Sequence, residues 1–308
     1  MTTALITHPA CLEHDPPPGH PERVERLKAV LDALGSKQFS GLQREVAPRA
    51  TQEQLTLVHA ENYIAAMLEP VPEGGYVVVD ADTVLSSGSG EAALRAAGSA
   101  VHGVNLVMAG AVKNAFCAVR PPGHHAEPSK AMGFCVFNNI AIGAQHARSV
   151  YGLKRAAVVD FDVHHGNGTQ TMFENDANLF YASTHQMPLY PGTGSTNEKG
   201  VGNILNCPLP PGAGSREFRA SISGSVLPAL EKFRPDFMFI SAGFDAHRAD
   251  PLANIELEDE DFAWVTKELC ALASRLCAGR VVSALEGGYD LGALASASRA
   301  HVQALMEA

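Results

Sequence analysis

At 308 residues, 46% of them hydrophobic and 18% charged, the chain has the makeup of a globular protein with a large core, which argues against disorder. A formal charge of −10 argues against nucleic acid as a partner, because a phosphate-neutralising surface needs clustered Lys and Arg; cationic ligands are weakly favoured. No run of about 18 apolar residues occurs and the amino terminus lacks a basic, apolar leader, so no membrane span is expected and a cytoplasmic protein is read.

In chain order, Leu5-Ile6 opens a short strand, and a helix is predicted from Pro21, where a missing N–H costs nothing. Val24, Leu27, Val30, Leu31 and Leu34 mark its buried face and Gly35 its end. A second helix, from Ser89 to Met108, presents the small-residue face Ala93, Ala96, Ala97, Ala100, Val101 and Val104. Strands then run from Phe116 to Val119, Ala156 to Val159, Leu179 to Ala182, Phe237 to Ile240 and Val281 to Leu285. Between them lie helices near Asn138 to Val150, Gly168 to Glu174, Arg216 to Phe233 with a bend at Pro228, and Asp259 to Cys277, closed by Gly279. Such alternation predicts an α/β fold: an open, mainly parallel sheet with helices on both faces. No linker or repeat divides the chain, so one domain over residues 1–308 is expected. The six cysteines form no CxxC pair and read as mostly buried thiols, with Cys270 and Cys277 facing the core.

The apolar runs spill into clusters of His, Asp, Gly and Tyr, and in a parallel sheet ligands bind just beyond the carboxyl ends of the strands. The sharpest cluster is Asp160-Phe161-Asp162-Val163-His164-His165-Gly166-Asn167-Gly168. Alternate residues of an extended segment share a side, so Asp162 and His164 reach one ion while Val163 packs inward. A further carboxylate completes three protein ligands and leaves positions open for water and substrate; Asp250, after the strand ending at Ile240, is the candidate. Capping or core hydrogen bonding would also explain an isolated Asp-x-His. The donor set suits zinc, and ferrous iron, cobalt or manganese are compatible.

The segment Arg120-Pro121-Pro122-Gly123-His124-His125-Ala126 places two imidazoles on a rigid turn. Amide hydrolysis needs a group that takes a proton from water and returns it to the leaving amine, which imidazole does near neutral pH. Each ring also needs an orienting acceptor, and Asp160 and Asn167 stand near enough in sequence to supply them.

Together with Gly133-Phe134-Cys135, Thr184-His185-Gln186-Met187-Pro188-Leu189-Tyr190-Pro191-Gly192-Thr193-Gly194, Ser241-Ala242-Gly243-Phe244-Asp245-Ala246-His247-Arg248-Ala249-Asp250-Pro251 and Glu286-Gly287-Gly288-Tyr289-Asp290, these segments resemble the histone deacetylase superfamily, specifically its class II-like bacterial members, from Gly19 to Leu291. The resemblance implies an arginase-deacetylase fold and a zinc amidohydrolase that removes acetyl groups from acetyl-lysine or related acetylated amines. It implies Asp162, His164 and Asp250 as ligands, His125 as general base and acid, and His124 as its electrostatic partner, supported by Asp160. Asn167 stands where some members carry Asp, which removes a negative charge beside His125.

Tyr289 resembles the tyrosine that donates to the developing oxyanion. Gly133, Phe134 and Tyr190 resemble the acyl-lysine channel, with Tyr at 190 where Phe is usual. Arg26 matches an arginine of the acetate-release cavity, or is a solvated helix residue. Asp80 and Asp82 fall in a rim-loop region and read as a surface turn or as holders of a substrate backbone, Asp82 being the candidate. A structural potassium is expected near Asp160, Asp162, His164 and Ser183-Thr184, and a homo-oligomer is compatible with the chain. Three other readings remain open: an acetylpolyamine deacetylase, a binuclear manganese ureohydrolase, for which the second Asp two residues past Asp245 is replaced by His247, and a catalytically silent binder of acylated ligands.

Overall fold

The computed structural model describes residues 2–308. Its strands are β1 (Thr3–Thr7), β2 (Gln43–Val46), β3 (Val77–Val78), β4 (Val84–Leu85), β5 (Asn114–Cys117), β6 (Ala156–Asp160), β7 (Leu179–Gln186), β8 (Ile204–Leu209), β9 (Phe237–Ala242) and β10 (Val281–Leu285). The helices are α1 (Val24–Leu34), α2 (Gln52–Leu55), α3 (Glu61–Met67), α4 (Ser89–Met108), α5 (Asn139–Tyr151), α6 (Asn167–Phe173), α7 (Ser215–Ser221), α8 (Leu227–Phe233), α9 (Asp259–Leu276) and α10 (Leu291–Glu307). Eight strands form one sheet in the order β2-β1-β5-β10-β9-β6-β7-β8, with β3 and β4 a separate antiparallel hairpin. Every pairing in the large sheet is parallel, so all its carboxyl ends open on one side.

The central strands are buried on both faces because they are apolar throughout: Ala156 to Val159, Phe237 to Ile240 and Val281-Val282 all lie in the core. Helix α4 packs closely through its predicted small face, where Gly103 and Gly143 lie near Val282 and Ala100. Helices α4 and α5 pack together, as do α1, α10 and α9, and cover the sheet. Cys270 and Cys277 are buried; of the six free thiols only Cys207 is partly exposed. Among the described residues no helix is long and apolar enough to cross a membrane.

Several boundaries differ from expectation. Arg23, not Pro21, precedes the first helix: its backbone is extended (φ −133°, ψ 161°) while Glu22 is held in the interior by two arginines. Strand β5 lies two residues earlier than predicted, in register with Thr3 to Ile6 and with Val281 to Ala284. The bend before Pro228 is a π-helical turn, Ile222–Val226, which joins α7 to α8.

One core device carries a pH dependence. His301 is fully buried, with its ring nitrogens 2.7 Å from Thr266 Oγ1 and 2.9 Å from Ser283 Oγ, and burial pushes it down to about 3. The native state therefore keeps it neutral while the unfolded chain binds a proton below about 6.5, so stability is lost as pH falls from 6.5 towards 3. At pH 5 this amounts to about 2 kcal/mol. Denaturant titration at pH 7 and pH 5 is expected to show that loss shrinking by about this amount in His301→Gln; an unchanged difference would refute it.

Candidate active site

The loops leaving β5, β6, β9 and β10 converge at the carboxyl side of the sheet. From β6, Asp162 and His164 turn inward, and from β9 comes Asp245. His164 Nδ1 lies 3.1 Å from Asp162 Oδ1 and 3.0 Å from Asp245 Oδ2, and all three residues are buried. Each carboxylate is steered by backbone donors: Gly287 N reaches Asp162 Oδ2 at 2.7 Å and Val163 N reaches Asp245 Oδ1 at 2.9 Å. Burial and then the charge of Asp162 push Asp245 up to about 7, the signature of negative charge crowded away from water.

A further carboxylate, Asp250, is buried beside this set and adds to the charge that raises Asp245. The side chains nearest to one another are Asp162, His164 and Asp245. The Asp250 carboxylate accepts from Tyr289 N at 2.7 Å, Asp290 N at 3.4 Å and Leu252 N at 3.0 Å, tying the loop after β9 to the loop after β10. Both aspartates follow the same strand, joined by a turn in which His247 N bonds Phe244 O and Asp250 N bonds His247 O, and both are buried.

The paired histidines come together as the spacing suggested, with ring centroids 4.0 Å apart. His124 Nδ1 lies 3.0 Å from Asp160 Oδ2, which also accepts from the Tyr181 hydroxyl at 3.0 Å. Burial opposes charge on His124, but Asp162 and Asp160 outweigh it and push the ring up to about 10. His125 Nδ1 lies 2.8 Å from Asn167 Oδ1. Burial, then the neighbouring His124 and His164, hold His125 well below the usual histidine range. One ring is thus kept charged and its neighbour neutral.

Tyr289 faces the same space. Its ring lies 5.9 Å from that of Phe134 and carries the Arg26 guanidinium 4.7 Å over its face. Burial raises the phenol; Arg26 opposes this while Asp245 and Asp162 add to it, so the hydroxyl keeps its proton. Arg26 is fully buried rather than solvated, and its donors go to Glu22 at 2.9 Å, Gly288 O at 2.5 Å and Glu286 O at 2.5 Å. It underpins the tyrosine and is absent from the walls of the mouth.

That mouth is a cavity of about 260 Å³ lined by Asp82, His125, Gly133, Phe134, His164, Leu189, Tyr190, Leu252 and Tyr289. Phe134 sits at φ 67° after Gly133 at φ 57°, a left-handed pair that bends the chain around the His125 ring. Asp82 Oδ1 accepts from Gly133 N at 3.0 Å, so the rim hairpin is fastened to this wall, whereas Asp80 lies 3.8 Å from Lys130. Leu189 and Leu252 were not anticipated; their signal in sequence was only adjacency to Tyr190 and Asp250.

A parallel α/β sheet with buried carboxylates, a charged and a neutral imidazole and a narrow apolar mouth defines a hydrolytic enzyme of the deacetylase type. The histone deacetylase domain model matches residues 20–305, and the chain belongs to the histone deacetylase family. It is 40% identical to a probable deacetylase of Archaeoglobus fulgidus, over 96% of this chain and 83% of that protein. It is 39% identical to the histone deacetylase-like amidohydrolase of Pseudomonas aeruginosa, over 88% of this chain and 72% of that one. The crystal structure of the HDA15 HD domain superposes with a TM-score of 0.93 at 34% identity, covering 99% of this chain and 88% of that one.

The close approach of the loops gives a test independent of any titrating group. A Cβ at Gly287 would lie 2.0 Å from Asp245 Oδ2 and 2.6 Å from Asp162 Oδ2. Gly287→Ala is expected to lower deacetylase turnover at least tenfold while far-UV circular dichroism stays native; wild-type turnover would contradict this packing.

Proposed function

We propose that this protein is a zinc-dependent deacetylase acting on acetyl-lysine, with Asp162, His164 and Asp250 as the metal ligands and Asp245 beside them. The observation that carries the reading is the burial together of Asp162, His164, Asp245 and Asp250, with His164 Nδ1 3.1 Å from Asp162 Oδ1, next to a neutral histidine and a protonated tyrosine. The donor set fits the ion: for bonds of about 2.0 Å the edge of a tetrahedron is about 3.3 Å. Two carboxylates drawn this close out of water also need positive charge between them. Bound there, zinc would polarise the acyl carbonyl and promote ionisation of the attacking water.

The chain's own groups supply the rest. Asn167 Oδ1 can only accept, so His125 carries its proton on Nδ1 and leaves Nε2 free to take one from the attacking water. The same nitrogen returns a proton to the leaving amine. Tyr289 donates its hydroxyl to the oxygen that becomes negative on the acyl carbon, an interaction stronger in the transition state than in the ground state. His124, held cationic by Asp162 and Asp160, offsets that charge from behind. Phe134 and Tyr190 flank an aliphatic stem, and Asp82 stands at the rim to hold the backbone of a substrate. Arg26 fixes the Tyr289 loop from beneath, on the side assigned to acetate release.

Acetyl-lysine is favoured over a polyamine because the mouth is mostly apolar, with Asp82 its one carboxylate; a second distal cation would find Leu189 and Leu252. A structural potassium beside Asp160, Asp162, His164 and Ser183-Thr184 is supported by the Thr184 hydroxyl, which is buried without a partner.

Tyr289→Phe is expected to lower turnover of an acetyl-lysine substrate by roughly 10²-fold with bound zinc unchanged. Elemental analysis is expected to find zinc lost in Asp250→Asn. Two manganese equivalents in the wild type, or zinc retained near one equivalent in Asp250→Asn and lost in Asp245→Asn, would overturn the ligand set.

A further inference from the structure

The mouth accounts for a side chain and its acyl group, but one apolar surface beside it has no assigned use. Tyr76, Val77 and Val78 are 47%, 42% and 70% exposed, three consecutive large apolar side chains on strand β3 and its approach. The hairpin they belong to is a two-residue ladder, Val77 opposite Leu85 and Val78 opposite Val84. Val79 N donates to Thr83 O at 2.9 Å, and antiparallel pairs alternate between bonded and non-bonded. The Val78 N–H and C=O therefore point away from β4, along an open edge. Natural proteins blunt such edges with charge, proline or a covering element, yet the residues on this one are aromatic and β-branched.

We propose that β3 is a docking edge for an extended polypeptide that carries the acylated lysine and joins the hairpin as a third strand. The proposal rests on the deacetylase reading and narrows its substrate from acetylated amines in general to acetylated protein segments. Continuity with the mouth is the first argument. The loop between β3 and β4 holds Asp82, which lines the cavity and is fastened to Gly133. Val78 is four residues from Asp82, at most about 14 Å along the chain, a span that about four extended substrate residues cover.

Charge complementarity is the second argument: Asp80 and Asp82 stand in the loop just after β3, with Lys130 the cation 3.8 Å from Asp80, so flanks rich in Lys or Arg are favoured. Main-chain bonds to Val78 would give affinity with little dependence on sequence, while Tyr76 and Val77 offer contacts to alternate side chains. A free acetylated amine would use the mouth alone and gain nothing from this edge.

The test compares an acetyl-lysine amide with a ten-residue acetyl-lysine peptide. The wild type is expected to show a KM about tenfold lower for the peptide at similar kcat. Val78→Pro removes the outward N–H from an edge position where proline is tolerated. It is expected to raise the peptide KM about tenfold, to leave kcat and the amide kinetics unchanged, and Val78→Ile is expected to behave as wild type. A peptide N-methylated at alternate flanking residues should lose the same tenfold on the unmodified enzyme, which separates lost pairing from a distorted hairpin.

Equal KM values for the two wild-type substrates, or equal losses on both in Val78→Pro, would overturn the docking edge while leaving the deacetylase reading intact. A wild-type dimer that Val78→Pro splits with no change in peptide KM would assign the edge to a second copy of the chain and likewise overturn it. Turnover of neither substrate would sink the deacetylase reading and the docking edge with it.

Discussion

Negative charge buried at the ends of three parallel strands is the constraint around which this molecule is organised. Asp160, Asp162, Asp245 and Glu286 are all withdrawn from solvent, and an unpaired carboxylate there would be costly. Each is met by at least one donor from a neighbouring strand or loop. Glu286, leaving β10, accepts from Gly123 N at 2.7 Å and His124 N at 3.1 Å, leaving β5. Asp162, leaving β6, accepts from Gly287 N after β10, and Asp245, after β9, accepts from Val163 N after β6. The bonds that neutralise the site are thus the bonds that lock the four loops together, and the catalytic geometry is inseparable from local stability.

A second ring of buried charge lies below. Glu22 is gripped by the Arg120 side chain through both its carboxylate oxygens, by Arg26 at 2.9 Å and by His14 at 3.2 Å. Burial opposes its charge, but Arg120 and then its other partners hold it well below the usual carboxylate range. Arg120 begins the turn that carries His124 and His125, and Arg26 holds the carbonyls of Glu286 and Gly288 under Tyr289. One carboxylate at the head of the first helix therefore couples the strand that delivers the imidazoles to the strand that delivers the tyrosine. Burying an ion network of this kind adds little net stability; its effect is to fix orientation.

What was legible in the sequence follows from what is locally encoded. Apolar strands and the alanine-rich α4 announce themselves by composition and period, so α4 and β10 were placed to the residue. Strand β2 was missed because its Gln43-Arg44-Glu45-Val46 is polar at the sheet edge, and β8 because Asn206 and Pro208 interrupt it. Strand β7 runs on through Ser183, Thr184, His185 and Gln186, polar residues that only a buried network makes acceptable in a core strand. Helix α10 packs on α9 and α1 with little periodic signal of its own amid alanines and serines.

The site shows the same division. Asp-x-His on one extended segment and two adjacent histidines are short-range geometry, and the structure brings them together as read. Asp245 and Asp250 are five residues apart on a loop, where no period decides direction. Gly243 and Gly287 leave room for the carboxylates, a Cβ at either falling 2.0 Å from an oxygen of Asp162 or Asp245.

Asn167 shows how one substitution redistributes charge without breaking the chain of hydrogen bonds. A carboxylate at that position would stabilise a proton on His125 and make the ring a stronger but more often occupied base. With the amide, His125 donates to Asn167 Oδ1 at 2.8 Å while Asn167 Nδ2 donates to Glu127 Oε1 at 2.8 Å. The negative charge is moved one residue outward, to the partly exposed Glu127, and the tautomer of His125 is still dictated. A ring beside one imidazole held cationic cannot afford ready protonation of its own, and the neutral acceptor is what lets His124 carry the charge while His125 keeps a lone pair free.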